Sequence, residues 1–299
     1  TDVTDMPMVD AHVHFWNPEQ NYYPWLNDRP LIPFRYGDYS SICRPYLPAD
    51  YKRDAAGHHV VKTVYIEAEW DPSDPIGEMD YIASLRRETG WPNVAVGQAW
   101  LDRGDRARVL ERLAGFDFVR GLRHKPKSNP KPGSAAPGSM VDPHWVEGFA
   151  MLSSYGLRFD LQTPWWHLHE ACTLADRFPQ TQIILLHSGL PADRSAEGIA
   201  GWKAAMTEFA KRPNVAVKIS GIGLPDQPWT VANNRDIVRS IIEIYGVERC
   251  MFGSNFPVDS VCGTLDEIFG GYKEITADLG PEAQKRLFHD NAVQFYDIR

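Results

Sequence analysis

The sequence predicts a (β/α)8 barrel of the TIM type, read as one domain over residues 1–299 with long loops at the C-terminal face. Three observations predict it. Short runs rich in Val, Ile, Leu and Phe recur eight times, the composition expected of strands buried on both faces. Stretches of helical patterning fill most of the gaps between them. The two longest irregular stretches both follow strand ends, on the face where barrels carry their chemistry. Eight alternations favour a closed parallel barrel, whereas six would favour an open doubly wound sheet.

In order, the strands are expected at Met8–His12, Val60–Ala68, Val94–Ala99, Phe118–Arg123, Leu157–Gln162, Gln182–His187, Val215–Ile219 and Arg249–Ser254. Helical periodicity covers Ile76–Thr89, Ala107–Ala114, His144–Ser154, His167–Arg177, Ala196–Ala210 and Arg235–Tyr245. Gly156, Pro179 and Gly246 stand where helix stops are expected. The long gap from Phe15 to Tyr51 is dense in Pro, Tyr, Trp and Arg, and a second from Lys125 to Val141 carries four prolines. Such loops in compact domains are usually lids or walls of a site.

Net charge is −8, so no basic surface points to nucleic acid or to an acidic membrane. No apolar run approaches the roughly 20 residues of a membrane span. Cys43, Cys172, Cys250 and Cys262 are scattered without a CxxC pair, which fits a reducing, cytoplasmic compartment. A homodimer is the base expectation for assembly. Neither a Gly-rich dinucleotide or phosphate loop nor a Gly-x-Ser-x-Gly elbow is present, which argues against nucleotide chemistry and a serine triad.

The strongest local signal is Val9-Asp10-Ala11-His12-Val13-His14-Phe15. Residues two apart on a strand share a face, so His12 and His14 could grip one metal ion or one substrate oxygen. Arg123 and His124 follow the fourth strand, where Arg123 could offer paired donors to a carboxylate or lactone oxygen. After them, Lys125 and Pro126 are expected to turn the chain away. Glu67 and Glu69 share a face at the end of the second strand, where one could orient a histidine. Gln98, Trp100, Asp160, Gln162 and Lys218 also sit at strand ends as candidate pocket walls. Trp16, Trp25, Trp70, Trp165 and Trp166 lie near the expected mouth.

The His12/His14 pair resembles the HxH signature that opens the barrel in the amidohydrolase superfamily. Gly121-Leu122-Arg123-His124, Leu186-His187-Ser188-Gly189 and Met251-Phe252-Gly253-Ser254-Asn255-Phe256-Pro257 are similar to segments of its lactonase-like branch, which includes sugar-lactone and pyrone-dicarboxylate lactonases. The likeness runs from Met8 to Asp290-Asn291-Ala292. It implies that His187 joins His12 and His14 at the site, and that the three can share one divalent cation such as zinc. Some enzymes of this kind work without metal, so metal independence is the other expectation.

The superfamily usually has an aspartate after the eighth strand, in a sequence resembling Gly-Ser-Asp-Trp-Pro, and here stands Asn255. A neutral amide is no general base and a poor metal ligand. Asp259 could supply the carboxylate, or His187 or a metal-bound hydroxide could do the work. The resemblance therefore implies a lactone hydrolase with His12, His14, His187, Asn255 and Asp259 in the catalytic group. Arg123, His124, Glu69, Trp100, Gln162 and Lys218 are the candidates for substrate contact. The alternatives are a metal-dependent decarboxylase of an aromatic or unsaturated acid, which Asn255 disfavours, and a ligand-binding barrel without catalysis.

Overall fold

A computed structural model describes residues 6–299. Its centre is one sheet of eight strands: β1 (Met8–Val13), β2 (Val60–Ile66), β3 (Val94–Gln98), β4 (Val119–Arg123), β5 (Arg158–Leu161), β6 (Ile183–Leu185), β7 (Val215–Ile219) and β8 (Cys250–Phe252). Each strand pairs in parallel with the next in sequence. The seam between β8 and β1 is closed by the residues just after β8. Asn255 N donates to His12 O at 2.8 Å, and His14 N donates to Phe256 O at 2.9 Å. The expected (β/α)8 barrel is therefore the observed fold, and its closure is made by the same segment that carries Asn255.

Two apolar cores follow from the period of two along each strand. One set of side chains, including Val9, Ala11, Val64, Ile66, Val96, Ile184, Ala216 and Met251, fills the barrel interior together with Tyr296 and Ile298 from the C-terminal segment. The alternate set, including Tyr65, Leu122, Phe159, Leu185 and Val217, packs outward against the helices. A plug of aliphatic side chains closes the lower barrel, so open space is left at the upper, C-terminal ends of the strands.

Helices cover the outside, among them Pro75–Thr89, Arg106–Ala114, Pro143–Ala150, Leu168–Arg177, Ala196–Ala210 and Val231–Tyr245. Their ends obey local chemistry. Asp74 caps the first through Gly77 N, and Gly90 ends it with φ of 80°, the left-handed conformation that glycine adopts without a Cβ clash. A helix at Leu265–Thr276 was not among those expected. It starts with a capping box in which Thr264 and Glu267 satisfy each other's backbone N–H groups. No helix among the described residues is long and apolar enough to cross a membrane.

The long gap after β1 is ordered by its aromatic residues. Trp16, Tyr23, Tyr39 and Tyr46 are buried, and two short helices, Pro24–Asn27 and Pro48–Asp54, punctuate it. Trp16 Nε1 donates to Ile42 O and Arg44 O, while Trp16 and Tyr46 exchange both backbone bonds. Tyr, Trp and Pro thus fold this segment down as a wall over one side of the barrel mouth, as its position predicted.

Candidate active site

Asp10 sets the base of the site. It is fully buried on β1, and its Oδ1 accepts from His12 N at 3.1 Å and from Ser254 N at 2.9 Å, while Oδ2 accepts from Tyr51 OH at 2.6 Å. One carboxylate thereby pins the two strands whose ends carry the histidine pair and Asn255. The β1–β2 register shifts between Asp10 and Val13. Such an irregularity re-aims side chains, and here Ala11 packs in the interior while His12 also meets interior groups.

His12, His14 and His187 come together as expected. The ring of His12 lies 5.2 Å from that of His14 and 4.6 Å from that of His187, centroid to centroid. All three are buried. His14 Nδ1 sits 2.7 Å from Ile66 O. A carbonyl only accepts, so Nδ1 carries the proton and Nε2 keeps its lone pair. His187 Nδ1 lies 2.9 Å from Ser220 Oγ. His187, Ser188 and Leu190 all hold positive φ, near 51°, 58° and 57°; such clustered strain marks a segment fixed by its surroundings.

Burial, with Arg123 and Lys125 nearby, lowers His14 to a pKa of about 3. Burial and then Lys218 hold His12 well below the usual imidazole range, and burial and then Arg35 do the same for His187. All three imidazoles are neutral at neutral pH.

Beneath them runs a column of polar groups along the barrel axis. Lys218 Nζ on β7 lies 3.3 Å from His12 Nδ1 and 3.2 Å from Asp160 Oδ2 on β5. Tyr296 OH donates to Asp160 from below at 2.9 Å, and its ring faces Lys218 at 4.8 Å. Lys218 and Asp160 are wholly inaccessible. Burial lowers the ammonium to a pKa of about 8 despite Asp160. Lys218 is thus no wall of the pocket but a support under His12, and that expectation is corrected.

Above the histidines lies a cleft of about 290 Å³ lined by His14, His187, Asn255, Arg123, Gln162, Glu69, Lys125, Arg35, Trp25 and Phe34, among others. Arg123 is buried and held from three directions: Nε donates to Glu67 Oε1 at 2.7 Å, one Nη to Glu67 O at 2.7 Å, and the other to Gln162 Oε1 at 3.0 Å. Glu67 also accepts from Glu69 N at 2.7 Å. Glu69 reaches Lys125 at 3.3 Å. The two carboxylates therefore serve as partners for cations and do not orient a histidine.

His124 and Trp100 do not line this cleft. His124 Nδ1 accepts from Leu101 N at 3.0 Å, and its ring packs on Trp100 and Trp145. Arg123 ends β4 and points inward, whereas His124, just past the strand end, falls on the helix side with Trp100. Lys125, expected to turn away, instead enters the cleft. Arg35, from the long loop after β1, was missed by the sequence reading; its Nη1 donates to Gly221 O at 2.7 Å. Trp25 lines the cleft, Trp165 and Trp166 line separate depressions, and Trp16 and Trp70 are packed into the core.

Asn255 donates Nδ2 to Asp259 Oδ1 at 2.8 Å. Asp259 is buried, and desolvation raises it to a pKa of about 6 against the opposing pull of Arg35 and of hydrogen bonds from Asn255 and Tyr36. The carboxylate four residues on is thus present, but it holds Asn255, which is the group that reaches the cleft.

Among the described residues, no group of three His, Cys, Asp or Glu side chains is arranged to hold a metal ion. The local pairing explains why the set is poor. It offers three neutral imidazoles, while the carboxylates nearby are already engaged: Glu67 by Arg123, Glu69 by Lys125, Asp160 by Lys218 and Asp259 by Asn255. A divalent cation would have to take a carboxylate away from one of these pairs.

The sequence and the fold have counterparts among known proteins. Residues 9–298 match the family model described as amidohydrolase. An uncharacterised protein, y4mH, of Sinorhizobium fredii is 36% identical over 99% of this chain and all of its own length. An L-fucono-1,5-lactonase of Burkholderia ambifaria is 27% identical over 97% of this chain and 95% of its own. The crystal structure of an amidohydrolase from Burkholderia multivorans with bound zinc superposes with a TM-score of 0.80, at 21% identity, over 98% of this chain and 99% of that one. With the family match running from β1 to the C-terminal segment, this chain belongs to the amidohydrolase family.

Proposed function

We propose that the protein hydrolyses a lactone, adding water across the ring ester to release a linear hydroxy acid. The observation that carries this reading is the meeting, in one cleft, of two neutral imidazoles, His14 and His187, with the cations Arg35, Arg123 and Lys125. Ester hydrolysis needs a proton acceptor for water and positive groups for the oxygen that becomes negative. The lactonase names of relatives that match most of the chain support the same chemistry.

In this reading a water on His187 attacks the lactone carbonyl. The C–O π electrons move to the carbonyl oxygen, and the water proton passes to the imidazole. Arg123, clamped by Glu67 and Gln162, is a rigid donor for the developing oxyanion. As the adduct collapses, the ring C–O bond breaks and the imidazolium returns its proton to the departing oxygen. An imidazole of low basicity suffices because the anionic adduct offsets the surrounding cations and raises its proton affinity during the step. Asn255, held by Asp259, fixes an amide at the cleft floor and takes no proton.

A decarboxylase reading finds no comparable support, since it would lean on a tightly held cation and on the aspartate that Asn255 replaces. The deciding experiment is a pH-indicator screen of sugar lactones and of pyrone and muconate lactones. Acceleration of one ring-opening by several orders of magnitude, lost in His187→Ala, is the expected result. Binding of lactones with no turnover of any would leave a ligand-binding barrel and overturn the reading.

A further inference from the structure

Lys218 has no place in the steps above, yet its ammonium lies directly against the His12 ring. Its Nζ is wholly buried between Asp160 Oδ2 at 3.2 Å and His12 Nδ1 at 3.3 Å, with the face of Tyr296 beside it. An ammonium can only donate. Asp160 and Tyr296 both favour the ammonium form, one through charge and one through its ring face. His12 Nδ1 must then accept, and a neutral imidazole that accepts at Nδ1 carries its hydrogen on Nε2. That Nε2 is buried and has no hydrogen-bond partner. It belongs to the ring packed against His14 and His187, the two imidazoles that line the cleft, so an unspent donor sits directly behind them.

We propose that Lys218 is a positioning residue that locks His12 as the Nε2–H tautomer, so that a fixed ammonium, in place of a bound metal ion, prepares an electrophilic donor at the base of the site. The arrangement mirrors that of His14, whose Nδ1 bears the hydrogen because Ile66 O accepts it. Adjacent imidazoles are thus set in opposite tautomers by opposite partners. One presents a lone pair and the other an N–H, the two functions needed to hold a water and polarise an oxygen. This inference rests on the hydrolytic reading of the cleft for its chemical purpose, but its core is a tautomer that can be read without substrate.

The test is nitrogen-detected two-bond correlation NMR on protein labelled with ¹⁵N-histidine, with His12 assigned from the signal missing in His12→Asn. The expected spectrum of the wild type has His12 Nδ1 in the unprotonated range and Nε2 in the protonated range, unchanged by EDTA. A protonated Nδ1 overturns the proposal. In Lys218→Met, His12 is expected to shift toward a mixture of tautomers, with kcat lowered by roughly 10²-fold, as when one oxyanion donor is lost, and KM little changed. An unchanged tautomer in a folded Lys218→Met protein, as judged by circular dichroism, also overturns it. Should that variant fail to fold, the wild-type spectrum decides alone. The Nε2–H tautomer with no lactone turned over would sink the lactonase reading and leave the tautomer assignment standing.

Discussion

Asn255 and Asp259 form a buried amide–carboxylate pair, with Nδ2 donating to Oδ1 at 2.8 Å. The pair recasts the missing aspartate: the carboxylate has moved one helical turn along the chain and supports the amide from behind. Replacing Asn255 with Asp would place two carboxyl groups in contact in a buried site, where both cannot ionise. Asn255→Asp is expected to lose about 1–3 kcal/mol of stability, more at pH 8 than at pH 5, where a shared proton restores a hydrogen bond. Thermal melts at both pH values read this directly. It is also expected to give no more turnover than the wild type at pH 7; a more active Asn255→Asp enzyme would show that the site lacks a base.

Gly221 holds φ of 59°, and a Cβ there would lie 2.5 Å from His187 Nδ1 and 2.7 Å from an Arg35 nitrogen. Either contact is too close to survive. Gly221→Ala is therefore expected to push the His187 ring off Ser220 and to shift Arg35 from its carbonyl partner. Displacements of about 1 Å at reacting groups cost on the order of 10²-fold in rate. A loss of that size in kcat/KM, in a protein whose circular dichroism is unchanged, would confirm that this glycine sets the site geometry. Full activity would mean that His187 is not used.

Strand periodicity made the histidine pair legible. Two residues apart on β1, His12 and His14 had to share a face, while His187, at the end of an apolar run, was joined to them by the likeness of Leu186-His187-Ser188-Gly189 to the lactonase-like branch. Arg123, Gln162 and Glu69 followed from the same reading of strand ends, whereas Asn255 was found through the likeness of its segment to the superfamily's eighth-strand motif. His124 failed because, just past the end of β4, its ring is held behind Arg123 by Leu101 N and Trp145. Arg35 was hidden, since it sits in a segment without periodicity whose path is fixed by buried Trp16, Tyr23, Tyr39 and Tyr46. The Lys218–Asp160 pair was equally hidden. It joins β7 to β5 across the intervening β6, a contact that exists only once the barrel has closed, and nothing local in the chain encodes it.

Independence of zinc is expected from the ion pairs around the imidazoles. With Glu67, Glu69 and Asp160 held by Arg123, Lys125 and Lys218, a divalent ion would find no carboxylate free to bind it. Turnover is expected to survive exhaustive dialysis against a chelator within about two-fold, the residual scatter of such a treatment being far below the 10–100-fold effects that follow loss of even an indirect metal contact. Metal analysis of the dialysed protein completes the measurement. Activity that vanishes with the metal and returns with stoichiometric zinc would contradict this account of the site.

Acid should weaken the fold through the same imidazoles. His14 has its pKa lowered from the ordinary 6.5 to about 3, so the unfolded chain binds a proton that the folded chain refuses. Its contribution is fully present above pH 6.5 and is lost as pH falls from there toward 3, at up to about 1.4 kcal/mol per pH unit. His12 and His187 shift in the same direction, whereas Asp259, raised to about 6, works in the opposite sense between pH 4 and 6. The clean observable is therefore a difference between two proteins. Relative to the wild type, His14→Asn is expected to show a shallower loss of unfolding free energy between pH 6.5 and 5 in urea titrations, by roughly one proton's worth of slope. Parallel curves for the two proteins would mean that His14 takes up its proton in the folded state as it does in the unfolded chain, and that burial does not hold this ring neutral through mild acid.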